Sequence, residues 1–189
     1  MNMEETETLN SEIVMERAES IGGTSFLGAE ITDVFWERIN LFMDVCVSFD
    51  SELSDDTELE FFAVNRSGRA GARLHVVKKS GNKYRISMNI TNVGDCSPIA
   101  AGNYYIAVCC GRSFLGYCHP SEELMERLKS VSRSFLYKNR MASFIVEFLR
   151  NDERDGELQP MTMLVMAGYA IPAGSVVESS SDSLENLIM

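Results

Sequence analysis

Hydrophobic and polar positions alternate through most of the chain, and the alternation is clearest between Lys83 and His119. Tyr84, Ile86, Met88 and Ile90 interleave with Arg85, Ser87 and Asn89. A period of two sends one set to a buried face and the other toward solvent, the pattern of a half-buried strand. Gly102 ends a polar loop, and the aromatic and β-branched run that follows reads as a core strand up to Cys110. Gly111-Arg112 fits a tight turn into a further strand over residues 113–118. Together these three strands predict an antiparallel meander.

The same period recurs on both sides. Ile39, Leu41, Met43, Val45, Val47 and Phe49 fall at every second position, which predicts one long strand over 36–49, bent near Asn40. Residues 59–65 and 72–79 read as two more strands, the latter with Leu74 and Val76 inward and a turn at Ser80-Gly81-Asn82. After His119 the period changes. Ser121 as N-cap, with Glu122 and Glu123 in the first turn, predicts a short helix that ends near Lys129. Residues 132–137, 141–151 and 160–170 read as strands again. The spacing predicts a mainly β fold, an antiparallel immunoglobulin-like β-sandwich with one short helix; a closed barrel is the alternative. The expected core includes Trp36, Tyr84, Ile86, Met88, Ile106, Val108, Phe144 and Val146.

Charge changes this picture only at the ends. The net charge of the 189 residues is −11. Residues 1–34 hold eight acids against Arg17, residues 178–189 have three acids and no base, and the stretch between is nearly neutral. This predicts an acidic flexible segment over 1–30, a β-sandwich domain over 31–177, and a Ser-rich acidic tail or linker over 178–189. No apolar signal region opens the chain, and five cysteines (Cys46, Cys96, Cys109, Cys110, Cys118) form an odd set. Reduced, buried thiols in the cytoplasm are expected. Residues 158–177 lack charge, but Gln159, Pro160, Gly168, Pro172 and Gly174 break any helix there, so no transmembrane segment is expected.

Catalytic chemistry finds little support. Cys109-Cys110 and Cys118-His119 invite a zinc reading, but adjacent strand residues point to opposite faces, so each pair offers one ligand per side. His75 and His119 stand apart from any nucleophile turn, and no phosphate-binding glycine loop is present. No metal, cofactor or catalytic residue is assigned, and the chain is not expected to be an enzyme. The strongest charge feature is the segment from Phe61 to Gly94. It carries Arg66, Arg69, Arg73, Lys78, Lys79, Lys83 and Arg85, with His75, and no acid. Such a hairpin could face an anionic polymer, an anionic membrane surface or an acidic protein, or could simply protect a sheet edge. Nucleic acid is not expected, because exposed aromatics are not interleaved with these bases.

The run Tyr84-Arg-Ile-Ser-Met-Asn-Ile-Thr-Asn, followed by Pro98-Ile-Ala-Ala-Gly-Asn-Tyr-Tyr-Ile, resembles accessory β-sandwich domains of bacterial CDP-glycerol glycerophosphotransferases and related wall-polymer glycosyltransferases. Ser132-Arg-Ser-Phe-Leu-Tyr and Phe144-Ile-Val-Glu-Phe resemble the closing strands of those domains. The resemblance covers roughly residues 35–170 and includes no catalytic motif. It implies a non-catalytic interaction module of a teichoic-acid-like polymer pathway, cytoplasmic or peripheral at the inner face of the membrane. Its partner would be a protein or a tethered transferase domain, and the chain would be free-standing or cut from a longer protein. Two alternatives stay open: an anionic-polymer-binding domain using residues 66–85, and a small metal- or cysteine-dependent enzyme using His75, His119 or the cysteines.

Overall fold

Among the described residues, twelve strands and one short helix make up the fold, seen in a computed structural model. It describes residues 16–54, 56–65, 71–92, 98–128, 130–137, 140–149 and 162–170. The strands are β1 (Glu16–Arg17), β2 (Ser20–Ile21), β3 (Thr24–Glu37), β4 (Asn40–Phe49), β5 (Glu60–Asn65) and β6 (Gly71–Ser80). They continue as β7 (Lys83–Asn89), β8 (Gly102–Cys110), β9 (Ser113–Pro120), β10 (Ser130–Tyr137), β11 (Arg140–Leu149) and β12 (Thr162–Ala170). The helix α1 (Glu122–Arg127) lies between β9 and β10.

The mainly β character and the single short helix match the sequence pattern. The expected immunoglobulin-like sandwich of two facing sheets is not what the pairings form. Hydrogen bonds run β3-β4-β7-β6-β5-β8-β9 and return to β3, which closes a seven-strand barrel. Seven is odd, so direction cannot alternate all the way round, and one seam must be parallel. That seam is β3–β9, with Ala29 opposite Cys118 and Ile31 opposite Pro120. Closure removes the exposed edges that an open sandwich would leave. Outside the ring, β12 takes the part of the β8 edge that β9 leaves open and continues antiparallel into β11 and β10.

Three local expectations are corrected. The long strand over 36–49 is two strands joined at Arg38-Ile39, with Glu37 opposite Asn40 and Arg38 at φ 55°. A two-residue hairpin loop needs positive φ, usually supplied by Gly or Asn, and here an Arg supplies it, so the alternation reads straight through. The meander fails at its first step. β7 pairs with β4 and β6, whereas β8 pairs with β5 and β9, so the two are not neighbours in the ring. Ordered pairing also begins before residue 31, since β1, β2 and the first half of β3 lie within 16–30. Cys96, and the tail over 178–189, lie outside the described residues.

The core fills the ring. Leu41, Met43, Val45 and Val47 enter from β4, Phe61 and Ala63 from β5, and Tyr84, Ile86 and Met88 from β7. Seven of the eight expected core residues are buried, and Trp36 is half-buried against the cluster. Val76 is the second exception to inward packing. A bulge between Val76 and Lys78 leaves Val76 and Val77 on the surface, 42% and 56% exposed.

The helix forms where the cap is. Ser121 Oγ accepts a hydrogen bond from the Leu124 N–H at 3.1 Å, and Leu124 is buried below it. The Arg127 guanidinium donates to Asp33 at 2.8 Å, tying the last turn to β3. Ser121→Ala is expected to cost about 1 kcal/mol, and Ser121→Gly a few tenths. Chemical denaturation checks both; equal losses would mean that the cap bond is not what holds the helix.

Candidate functional site

The seven bases expected to act as one patch are divided by the fold. Arg66 and Arg69 lie outside the described residues. Arg73 is paired with Glu60 and Arg85 with Asp44. Lys78 stands opposite Arg85, and Lys83 opposite Ser80, so these four share the outer face of the β6–β7 hairpin. Lys79 stands opposite the buried Tyr84 and belongs to the other face, at the barrel mouth. Lys78 and Lys83 are exposed and have no carboxylate partner among the described residues. His75 is exposed in β6, opposite Ser87.

The outer face of β3, β4 and β7 is balanced rather than basic. Arg85 donates from Nε and from an Nη to the two carboxylate oxygens of Asp44, both at 2.7 Å. The planar fork matches the carboxylate, and its other side lies over the Phe35 ring at 5.2 Å. Phe35 in turn stacks on Phe42, with centroids 5.3 Å apart and planes 5° from parallel. The Asp44 hydrogen bonds, then its charge, hold the Arg85 guanidinium above its ordinary pKa, with Asp33 and Glu37 adding to the effect. Sequence spacing had no means of showing this pairing, because Asp44 and Arg85 are 41 residues apart. Glu60 and Asp33, the partners of Arg73 and Arg127, were missed for the same reason.

The barrel mouth carries a cleft of about 920 Å³. Its floor is apolar, formed by Val47, Phe49, Leu53 and Tyr84. Polar residues also line it: Ser48 at the end of β4, Ser51, Glu52 and Ser54 on the following loop, and Lys79 and Asn82 on the hairpin, with the Asn82 amide donating to Cys46 Sγ at 3.4 Å. Several bonds fix this lining. The Val47 N–H donates to the Asn82 carbonyl at 2.9 Å, which seats the hairpin turn against β4. Gly81, at φ 58°, lets that turn form. Asp50 accepts from the Ser25 N–H at 2.9 Å and from the Ser51 hydroxyl at 3.2 Å. The Ser25 N–H first of all holds the Asp50 carboxyl below its ordinary pKa, against a smaller desolvation effect. At the far end of the loop, the Lys79 ammonium donates to the Thr57 carbonyl at 3.2 Å.

Burial perturbs two of the cysteines and His119. Burial pushes the Cys109 thiol up to about 12, and it pushes the fully enclosed Cys118 thiol up as well. Such thiols stay protonated and are poor nucleophiles at neutral pH. Desolvation lowers the His119 pKa, partly offset by Glu30, which stands opposite it on β3. Among the described residues no group of three or more His, Cys, Asp or Glu side chains could hold a metal ion. No helix among them is long and apolar enough to cross a membrane.

No protein-family profile matches the chain, and no curated protein sequence does. Solved structures that share the fold include two of S. aureus TarS. The crystal structure of S. aureus TarS 217–571 superposes with a TM-score of 0.53 at 7% identity, covering 76% of this chain and 40% of that one. The crystal structure of S. aureus TarS gives a TM-score of 0.50 at 7% identity, covering 74% of this chain and 24% of that one. The likeness is one of fold, and this chain spans less than half of either neighbour.

Proposed function

We propose that the chain is a non-catalytic accessory module for the synthesis of an anionic cell-envelope polymer of the teichoic-acid kind. Its role is to hold a transferase or its product, on the cytoplasmic side and peripheral to the membrane. The observation that carries this reading is the fold held in common with TarS, a teichoic-acid biosynthesis enzyme. It agrees with the family resemblance of the strand sequences. Cys109 and Cys118, buried and held protonated, are poor nucleophiles, which agrees with a binding role. Deleting the chain in its host should lower envelope polymer phosphate, and restoring it should return the phosphate to the parent level. Unchanged phosphate after deletion would overturn the reading.

A second reading rests on Lys78 and Lys83, which share an exposed face without a carboxylate partner among the described residues. Here the hairpin binds the polymer directly, with Arg66, Arg69, Arg73, Lys79 and Arg85 as further candidates. Arg73 and Arg85 already satisfy a carboxylate each, so the two outer lysines should dominate. The double charge reversal K78E/K83E is expected to weaken binding of poly(glycerol phosphate) roughly tenfold or more, since each lysine near an anionic surface contributes about 1 kcal/mol. Parent binding should also weaken as ionic strength rises. Equal affinity of variant and parent in calorimetric titration removes this reading and leaves the lysines as protection of the hairpin surface.

A further inference from the structure

We propose that residues 176–183, in the acidic tail, add to the free edge of β10 as a further strand. β10 ends the strand order, and β11 is its one pairing partner among the described residues. It comes close to β3 without a backbone hydrogen bond to it. Every second residue of an edge strand turns its N–H and C=O groups outward, so a long edge is a template for another strand. Short length, several charges, proline or a bulge usually blunts such an edge. β10 is eight residues long, has no proline, pairs with β11 without a bulge, and carries Arg133 as its one charge. Ser130, Ser132, Arg133, Ser134 and Leu136 are exposed, Leu136 by 64%.

The course of the chain points to its own tail as the occupant. Residues 171–189 lie outside the described residues. β10, β11 and β12 form an antiparallel sheet, in which Ala170 at the end of β12 stands opposite Met141, and Met141 opposite Leu136. The chain therefore leaves the sheet at the C-terminal end of β10. From there the vacant position beyond β10 is three strand spacings away, about 14 Å. Residues 171–175, Ile-Pro-Ala-Gly-Ser, contain two turn formers, and the six Cα steps from 170 to 176 reach about 20 Å. A strand returning along β10 runs antiparallel to it. It completes a Greek key, in which the fourth strand lies beside the first.

Charge agrees with this pairing. From Lys129 to Val146 the sequence holds four bases and no acid, whereas residues 176–189 hold three acids and no base. A second copy of the chain would bring two such basic hairpins side by side, so it fits the edge less well. With Val176 opposite Tyr137, Ser180 stands opposite Arg133. Glu178 and Asp182 then fall diagonal to Arg133 on the same face, within reach of its long side chain. In the same register Val177 stands opposite the exposed Leu136 and gives it an apolar neighbour. While the tail is seated, β10 is closed to strand addition by any other chain. This inference goes beyond the accessory role and does not depend on it, because it uses neither the TarS likeness nor Lys78 and Lys83.

The test is hydrogen–deuterium exchange of the full chain at low salt, followed residue by residue by NMR. The amides of residues 176–183 should exchange at least about tenfold slower than in an unstructured peptide, which corresponds to about 1.4 kcal/mol of docking. In E178K/D182K that protection should vanish, and the β10 amides not bonded to β11 should exchange faster, with β4 and β8 unchanged. Adding Arg133→Glu to that variant exchanges the two charges and should restore the protection. Free exchange of residues 176–183 in the parent, or parent-like protection in E178K/D182K, would overturn the proposal. An edge of β10 that is protected while residues 176–183 stay free would also overturn it, and would assign the edge to residues 1–15 or to a partner. Protection that grows with protein concentration would overturn it in favour of a second copy.

Discussion

Phe61→Ala is expected to lower the unfolding free energy by about 3–5 kcal/mol, the range for deleting a fully buried aromatic ring. Phe61 is fully buried inside the barrel, with its ring 5.3 Å from that of Tyr84. The two residues enter from β5 and β7, which are not neighbours in the ring, so the contact spans the interior. Backbone bonds constrain the wall on every side, and it cannot collapse to fill the space left behind. The cost should therefore fall toward the upper end of the range. A domain has only about 5–15 kcal/mol of stability in total, so the variant should be close to unfolding at physiological temperature. Urea denaturation should show a lower midpoint with an unchanged slope. A loss below about 1 kcal/mol would mean that the ring does not fill a closed interior.

Gly116→Val should cost about 1–3 kcal/mol by overpacking. A Cβ built at Gly116 would lie 2.5 Å from the edge of the Phe26 ring, closer than such atoms come. Phe26 must swing away, and its edge-on contact with Phe49 goes with it. Phe49 is part of the floor of the mouth cleft, so the substitution should disturb that site as well as the packing. Combining Gly116→Val with Phe26→Leu should recover part of the loss, because the smaller side chain leaves room for the new methyl groups. A parent-like melting temperature for Gly116→Val, or strictly additive losses in the double variant, would show that the ring does not lie over Gly116.

Much of the fold was legible along the chain because it is written in short-range chemistry. Tyr84, Ile86, Met88 and Ile90 alternate with polar neighbours, and all four are buried. Ser121 with two following glutamates marks the helix start to the residue. Gly111-Arg112 and Gly81-Asn82 mark turns, and both glycines have the positive φ that such turns need. The Arg38-Ile39 turn read only as a bend near Asn40, because neither turn position holds a Gly or Asn.

The candidate site was less legible. Seven bases without an acid read as one patch along the sequence, but a strand sends neighbours to opposite faces. Lys78 and Lys79 are adjacent in sequence and end on opposite sides of the sheet. The cleft has no sequence signature at all. Its serines, Glu52, Lys79 and Asn82 are ordinary loop and strand-end residues, brought together because β4 pairs with β7.

Residue order by itself left β1, β2 and β3 unread, but it determined most of the strands after Asn40, where helix α1 starts, and most of the side chains that seek the interior. Those are properties of a residue and its near neighbours: side-chain period, capping and turn conformation. Only the tertiary structure decided which strands pair, that the ring closes through a parallel β3–β9 seam, and that Asp44 and Glu60 neutralise Arg85 and Arg73. An alternating strand carries a buried face but no label for its partner. Partner choice is settled by the packing of all the faces at once, around one shared core.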